Sequence, residues 1–299
     1  MSSGKSAISV VAAIACAVAL LSGGNAEAAA GQGGLIVFAR ERPYSGIYTM
    51  EPTGENLTRL THAADYHPQW SPDGTRIVFE RFPFNSPSHV YVMNADGSGL
   101  TRLTDGFDSQ PSWSPDGTQI VFVRLPTGGR SAIFVMNADG SDQRRLTNER
   151  KADWLPAWSP DGTRILFTQG ANRRAELYLM KADGSDQTRL TRNIVRDQGG
   201  DWAPDGSRIV FESTRHGSWD LYTIRPDGTD TAQLTFTDAP TSEWAPAWSP
   251  DGSRIAYTVA NWRTGWEDIA VINLDNSVET LFMMPRSLEL EPDWQPVLT

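Results

Sequence analysis

The sequence predicts an all-β chain folded as a six-bladed β-propeller of four-stranded antiparallel blades, one blade being closed jointly by N- and C-terminal strands. Three observations lead there. Tryptophan recurs at Trp70, Trp113, Trp158, Trp202, Trp248 and Trp294, with spacings of 43, 45, 44, 46 and 46 residues. Each interval holds short segments of strand-like alternation separated by Pro, Gly and Asp. The two ends of the chain are incomplete in complementary ways. A period of this length marks a propeller or a solenoid, because a single small sheet cannot bury both of its faces alone.

Within a repeat the elements follow in a fixed order. Trp-Ser-Pro-Asp-Gly begins at Trp70, Trp113, Trp158 and Trp248, and Trp-Ala-Pro-Asp-Gly at Trp202. In the copy that starts at Gln110, Pro111-Ser112-Trp113 is the first strand and Ser114-Pro115-Asp116-Gly117 the turn after it. QIVFVR (119–124) is the second strand, AIFVMNADG (132–140) the third with its Asp-Gly turn, and RRLT (144–147) the fourth. Pro presets φ and Gly tolerates positive φ, as tight turns between antiparallel strands require. The aspartates of these Asp-Gly turns read as turn architecture. At the start of the chain, segments 34–40, 46–50 and 56–61 match strands two, three and four with no tryptophan strand before them. Segment 291–296 supplies the missing first strand from the other end. Such an interlock removes open sheet edges, which otherwise invite aggregation.

Residues 1–30 read as a secretory signal peptide, and 31–299 as the propeller. Lys5 precedes an apolar stretch from Ala7 to Leu21. That stretch is shorter than the roughly 20 residues that cross a bilayer. Ala26-Glu27-Ala28 or Ala28-Ala29-Ala30 offers a cleavage site. Cys16, the single cysteine, lies inside the apolar stretch, so the mature chain relies on packing and not on disulfides. No later segment is apolar enough to span a membrane, and a periplasmic or secreted monomer is expected. A formal charge of −10 argues against nucleic acid as a partner, since that surface needs clustered positive charge.

The core P-x-W-S-P-D-G and the preceding strand Arg59-Leu60-Thr61, Arg102-Leu103-Thr104, Arg145-Leu146-Thr147, Arg189-Leu190-Thr191 and Gln233-Leu234-Thr235 carry a family resemblance, as does the loop Ser213-Thr214-Arg215-His216-Gly217. On these residues the chain resembles the TolB-like, or PD40, branch of the WD40-like propellers. The resemblance spans the whole mature chain and implies the propeller fold. It also implies a choice of roles: a periplasmic component of envelope complexes, a scaffold for peptides or glycans, or the propeller half of a serine peptidase. The G-x-S-x-G elbow of the peptidases is missing from the sequence.

Strand parity puts the repeated Asp-Gly turns on one face and the variable loops on the other, where binding residues usually sit. Five residues before each tryptophan stands an acid: Asp65, Asp108, Asp153, Asp197, Glu243 and Glu289. Their position predicts a ring at the mouth of the central channel. Carboxylates so crowded would hold an amine or a hard cation, calcium above all, or each acid would cap a turn at the blade junction. On the same face Arg40, Arg81 and Arg124 each fall two residues after a strand-two phenylalanine, Phe38, Phe79 and Phe122, and Arg173, Arg174, Arg215 and Arg263 lie in the corresponding loops of the other repeats. They read either as an Arg–carboxylate lattice or as part of a ligand surface. Tyr66, Trp154 and Trp244 follow the acids, and Tyr44, Phe82, Phe84, Trp262 and Trp266 add aromatic surface of the kind that anchors interfaces or stacks on sugars.

No catalytic residue is assigned. The mature histidines, His62, His67, His89 and His216, form no H-E-x-x-H or Ser-His-Asp pattern. The expected function is therefore an exported, non-enzymatic binding or scaffold propeller of the cell envelope. It would hold a protein or peptide partner on the variable face and require no cofactor. The alternative is a polysaccharide-active or glycan-binding propeller, acting as a metal-assisted lyase or hydrolase if His67 and His216 assist.

Overall fold

The computed structural model describes residues 34–83, 86–148, 151–170, 174–274, the backbone of 280–282, and 288–296. The expected signal peptide and Cys16, as well as Phe84 and Arg173, lie outside the described residues.

The structure is an all-β propeller with four-stranded antiparallel blades. From the N-terminal end come β1 (Ile36–Arg42), β2 (Gly46–Met50) and β3 (Thr58–Arg59). The next sheet is β4 (Asp65–Trp70), β5 (Arg76–Arg81), β6 (His89–Asn94) and β7 (Thr101–Arg102). It is followed by β8 (Asp108–Trp113), β9 (Gln119–Arg124), β10 (Ala132–Asn137) and β11 (Arg144–Arg145). The third is β12 (Asp153–Trp158), β13 (Arg164–Gln169), β14 (Glu176–Lys181) and β15 (Thr188–Arg189). The fourth is β16 (Asp197–Trp202), β17 (Ile209–Ser213), β18 (Asp220–Ile224) and β19 (Ala232–Gln233). Last come β20 (Thr241–Trp248), β21 (Arg254–Asn261), β22 (Trp266–Asn273), β23 (Thr280–Phe282) and β24 (Leu288–Trp294).

Four of these sheets stand alone, whereas β20 to β24 and β1 to β3 form one eight-stranded sheet. Within it, β24 pairs antiparallel with β1, Ile36 opposite Trp294. Its two four-stranded halves meet in a single parallel pairing, Glu267 with Leu288. The tryptophan-bearing strands follow one another in space, β4 against β8, β8 against β12, β12 against β16, β16 against β20, β20 against β24 and β24 against β4.

The sequence pattern explains this stacking. On strand two of each repeat one aromatic is fully buried: Phe38, Phe79, Phe122, Phe167, Phe211 and Tyr257. The five phenylalanines face Tyr48, Tyr91, Phe134, Tyr178 and Tyr222 across the pair, with ring centroids 5.7 to 6.0 Å apart. Burying each such ring stabilises the fold by about 1.5–3 kcal/mol. The repeated tryptophans fill the space between neighbours. Arg76 lies 4.6 Å over Trp113, Arg164 5.1 Å over Trp202 and Arg254 4.7 Å over Trp294, so the strand-two arginine of one repeat covers the tryptophan of the next.

The Leu-Thr strand acquires a physical reason as well. A fourth strand of two residues makes few ladder bonds, and its threonine compensates. The hydroxyls of Thr61, Thr104, Thr147, Thr191 and Thr235 accept the backbone N–H of Ile47, Val90, Ile133, Leu177 and Leu221 on strand three, at 2.8 to 3.0 Å. Among the described residues, the strand-one-to-two and strand-three-to-four turns emerge on one face, here called the constant face. The remaining loops form the variable face.

Candidate functional site

The six acids expected at the channel mouth sit on the variable-face ends of the first strands, inside the blades, and none of them lines the channel cavity. Asp65, Asp108, Asp153, Asp197, Glu243 and Glu289 are all buried. Asp65 takes a forked pair of bonds from Arg81, Nε at 2.6 Å and Nη2 at 2.8 Å, and one from the Thr61 hydroxyl. Asp108 repeats the fork with Arg124 at the same two distances. Asp197 is held by Arg215 at 2.8 Å, Ser213 at 2.6 Å and Asn193 at 2.6 Å, and Glu289 pairs with Arg40. In the third of these repeats Gln169 replaces the arginine and binds Asp153 at 3.0 Å, and burial pushes that carboxyl above its usual range. The cause of the pairing is register: Asp65 lies opposite Arg81 and Asp108 opposite Arg124 across adjacent strands. Four of the six acids, Asp65, Asp108, Asp197 and Glu289, are thus engaged by Arg81, Arg124, Arg215 and Arg40, which is the Arg–carboxylate lattice among the readings of these residues. Among the described residues, no group of three or more His, Cys, Asp or Glu is disposed to hold a metal ion.

The channel itself is a cavity of about 300 Å³ lined by the first strands, from His67 to Gln69, Gln110 to Ser112, Trp154 to Ala157, Gln198 to Asp201, Trp244 to Ala247 and Glu291 to Asp293, with Glu212 behind them. Three residues before each tryptophan the backbone turns left-handed: His67, Gln110, Leu155, Gly199, Ala245 and Glu291 have φ between 47° and 58°. The same point shifts the pairing register, so each first strand carries a bulge. The bulge turns one N–H away from its own sheet and towards the preceding repeat.

What receives that N–H follows a rule. Where strand two of the preceding repeat carries Glu80, Thr168, Glu212 or Thr258, that side chain accepts from Gln110, Gly199, Ala245 or Glu291 respectively, at 2.8 to 3.3 Å. Where Val123 or Ala39 occupies the equivalent position and cannot accept, the bulge residue of that repeat does so instead. Gln110 Oε1 takes the N–H of Leu155 at 2.8 Å, and Glu291 Oε2 that of His67 at 2.6 Å. A second tier lies one residue before the tryptophans. Asp293 accepts from Trp70 N at 2.7 Å, and Asp201 from both Trp202 N and Trp248 N. Burial pushes Asp201 up to about 6, Asp293 to about 8 and Glu212 to about 7.

His67 joins the two ends of the chain within this lining. Its Nδ1 lies 3.1 Å from Glu80 and its Nε2 3.0 Å from Glu291 on β24. Burial lowers its affinity for a proton, but the two carboxylates outweigh that and raise it to about 10. The imidazolium is thus a positively charged link between β4 and the C-terminal strand. The roles of Glu80, Asp201, Glu212, Glu291 and Asp293 become visible only through the bulge.

The aromatic residues divide. Tyr66 donates to Glu41 at 3.0 Å and packs edge-on against Phe82, while Trp266 packs half-buried on the core. Trp154 and Trp244 line the channel. Trp262, 60 % exposed, lies 6.3 Å from Trp244 and donates to the Ser242 hydroxyl at 3.0 Å. Arg263 is exposed beside it.

The profile of the TolB beta propeller domain, PD40, matches residues 68–154 and 148–244, more than half of the chain. TolB from Acinetobacter baumannii is 20 % identical, with a TM-score of 0.74 over 88 % of this chain and 67 % of that one. A TolB-like protein from Agrobacterium tumefaciens is 23 % identical, with a TM-score of 0.67 over 89 % of this chain and 91 % of that one. A chain of the nidogen/laminin complex shares the fold at 14 % identity, with a TM-score of 0.70 over 88 % of this chain and 98 % of that one. No curated protein sequence matches. The blades, the Trp-Ser-Pro-Asp-Gly turns and the profile match together make this chain a member of the TolB β-propeller, or PD40, family.

Proposed function

We propose that the protein is an exported, non-enzymatic binding or scaffold propeller of the cell envelope, holding a protein or peptide segment on its variable face around the channel mouth. In this reading the eight-stranded sheet counts as two blades and the ring has six. The distribution of exposed apolar side chains carries the functional part. Tyr44, Phe82, Phe107, Leu125, Ile194, Phe236 and Trp262 are exposed in variable-face loops, against Leu57 and Leu100 on the constant face. Phe236 at 77 % and Ile194 at 93 % exposure bury little of their side chains in the fold, and apolar surface gathered on one face is the usual mark of an interface. The buried acid–arginine pairs give that face a rigid base. Apolar anchors within a polar rim suit a polypeptide better than a sugar.

The test is co-purification of the tagged mature protein from envelope extract of its native host. Capture of a specific partner, lost in Phe236→Ser plus Trp262→Ser and kept in Leu57→Ser plus Leu100→Ser, is the expected result. Equal capture by both pairs would sink the assignment of the working face.

A further inference from the structure

We propose that Arg196, packed against Trp154 and Trp219 on the variable face, is a subsite that receives a carboxylate of the bound segment, an acidic side chain or a C-terminus. The inference rests on the protein-binding reading above and adds the chemistry of one contact. The Arg196 guanidinium carbon lies 5.3 Å from the ring centroid of Trp154 and 5.1 Å from that of Trp219. Trp154 comes from β12 and Trp219 from the residue before β18, so the indoles reach the arginine from two different blades. Both rings are within cation–π reach of the guanidinium, whose donors lie in the plane of its fork.

Among the described residues the Arg196 guanidinium donates no hydrogen bond, and its Nε is buried without a partner. The neighbouring carboxylate, Glu212, is engaged elsewhere, one oxygen taking the N–H of Ala245 and the other the amide of Gln198. The contrast with the adjacent arginines is sharp: Arg81, Arg124 and Arg215 also lie over aromatic rings, and each is bonded to the acid of its own blade. Leaving a partly desolvated charge unpaired is unfavourable, so packing alone does not explain a guanidinium here.

Two further facts point to a ligand. At the position of Arg196 the other repeats carry Ala64, Phe107, Ala152, Ser242 and Leu288, none of them charged, so the blade architecture does not require it. Trp154 also lines the channel, so a group held by Arg196 lies at the channel mouth. A planar fork offering in-plane donors matches a carboxylate, which accepts two parallel bonds.

The proposal is tested by titrating the mature protein with three blocked tripeptides, following the indole N–H resonances of Trp154 and Trp219. The probes are acetyl-Ala-Glu-Ala-amide, acetyl-Ala-Ala-Ala with a free C-terminus, and acetyl-Ala-Gln-Ala-amide. Saturable shifts with one or both carboxylate peptides and none with the glutamine peptide are expected, the two acidic arms telling side chain from C-terminus. Arg196→Gln should weaken that binding by about tenfold or more, the scale of a charge-assisted bond. Arg196→Lys, which keeps the charge but not the fork, should weaken it in the same direction, and Arg144→Gln on exposed strand β11 should change nothing. No saturation with either acid, equal shifts with the glutamine peptide, tighter binding of inorganic phosphate, or wild-type affinity in both Arg196 variants would each overturn the assignment. Its failure is separable from that of the broader reading. Partner capture that survives Arg196→Gln while the titration fails removes only the subsite, and a sound titration without any captured partner removes only the envelope role.

Discussion

The two faces of the propeller both carry loops in every repeat, yet their charged residues behave oppositely. On the constant face the same contact recurs: Ser71, Ser114, Ser159 and Ser249 donate to Asp73, Asp116, Asp161 and Asp251 at 2.5 to 2.6 Å. The serine hydroxyls hold Asp73, Asp116 and Asp161 below the usual carboxylate range. On the variable face four of the six repeated acids pair with arginines and Asp153 with Gln169, while Arg196, which occurs once, donates no side-chain hydrogen bond among the described residues. The difference teaches how to sort charges in a repeat protein. A charged residue present in every copy satisfies a need of the architecture, wherever it sits. Recognition falls to the residues that break the repeat.

Variants of the two classes should separate stability from binding. The largest effect is expected at a sealed acid. Asp108→Ala leaves the Arg124 fork without its partner and should cost about 3–5 kcal/mol in urea denaturation, whereas a loss under about 1 kcal/mol would mean the pair is dispensable. Asp293 follows, read through pH. Its folded-state affinity for a proton, at about 8, is raised above the ordinary carboxyl value, so its favourable contribution is present at acid pH and fades as pH climbs towards 8. The melting temperature of Asp293→Asn relative to the parent should therefore improve between pH 5 and pH 9, and a decline across that range would contradict the buried, protonated carboxyl. On the constant face, Asp116→Ala removes three local hydrogen bonds at an exposed turn and should cost about 1 kcal/mol by the same denaturation assay. The smallest change in stability belongs to Trp262→Ala, within about 0.5 kcal/mol, accompanied by lost partner capture.

The sequence legibly carried what repeats. Six tryptophans located the first strands, and the complementary ends foretold the pairing of β24 with β1. Their partners were half legible. The arginines two residues beyond Phe38, Phe79 and Phe122 were visible, but only strand register brings Arg81 opposite Asp65 and thereby withdraws both from solvent. The channel lining was not legible, for a physical reason. His67, Gln110, Leu155, Gly199, Ala245 and Glu291 share no chemistry, and what they share is a left-handed backbone that turns an N–H to the neighbouring blade. Val123 and Ala39 look like ordinary core residues until the missing acceptor explains why Gln110 and Glu291 stand where they do. Arg196 and Trp219 carry no repeat signal at all, and only the fold brings them to Trp154.

The most direct measurement of the central claim is site-specific photo-crosslinking in the native host, with the reactive residue placed in turn at Phe236 and Ile194 on the variable face and at Leu57 and Leu100 on the constant face. The account predicts a discrete crosslinked partner from Phe236 or Ile194 and none from Leu57 or Leu100. Crosslinks of equal yield from the constant face, or from that face alone, would contradict it.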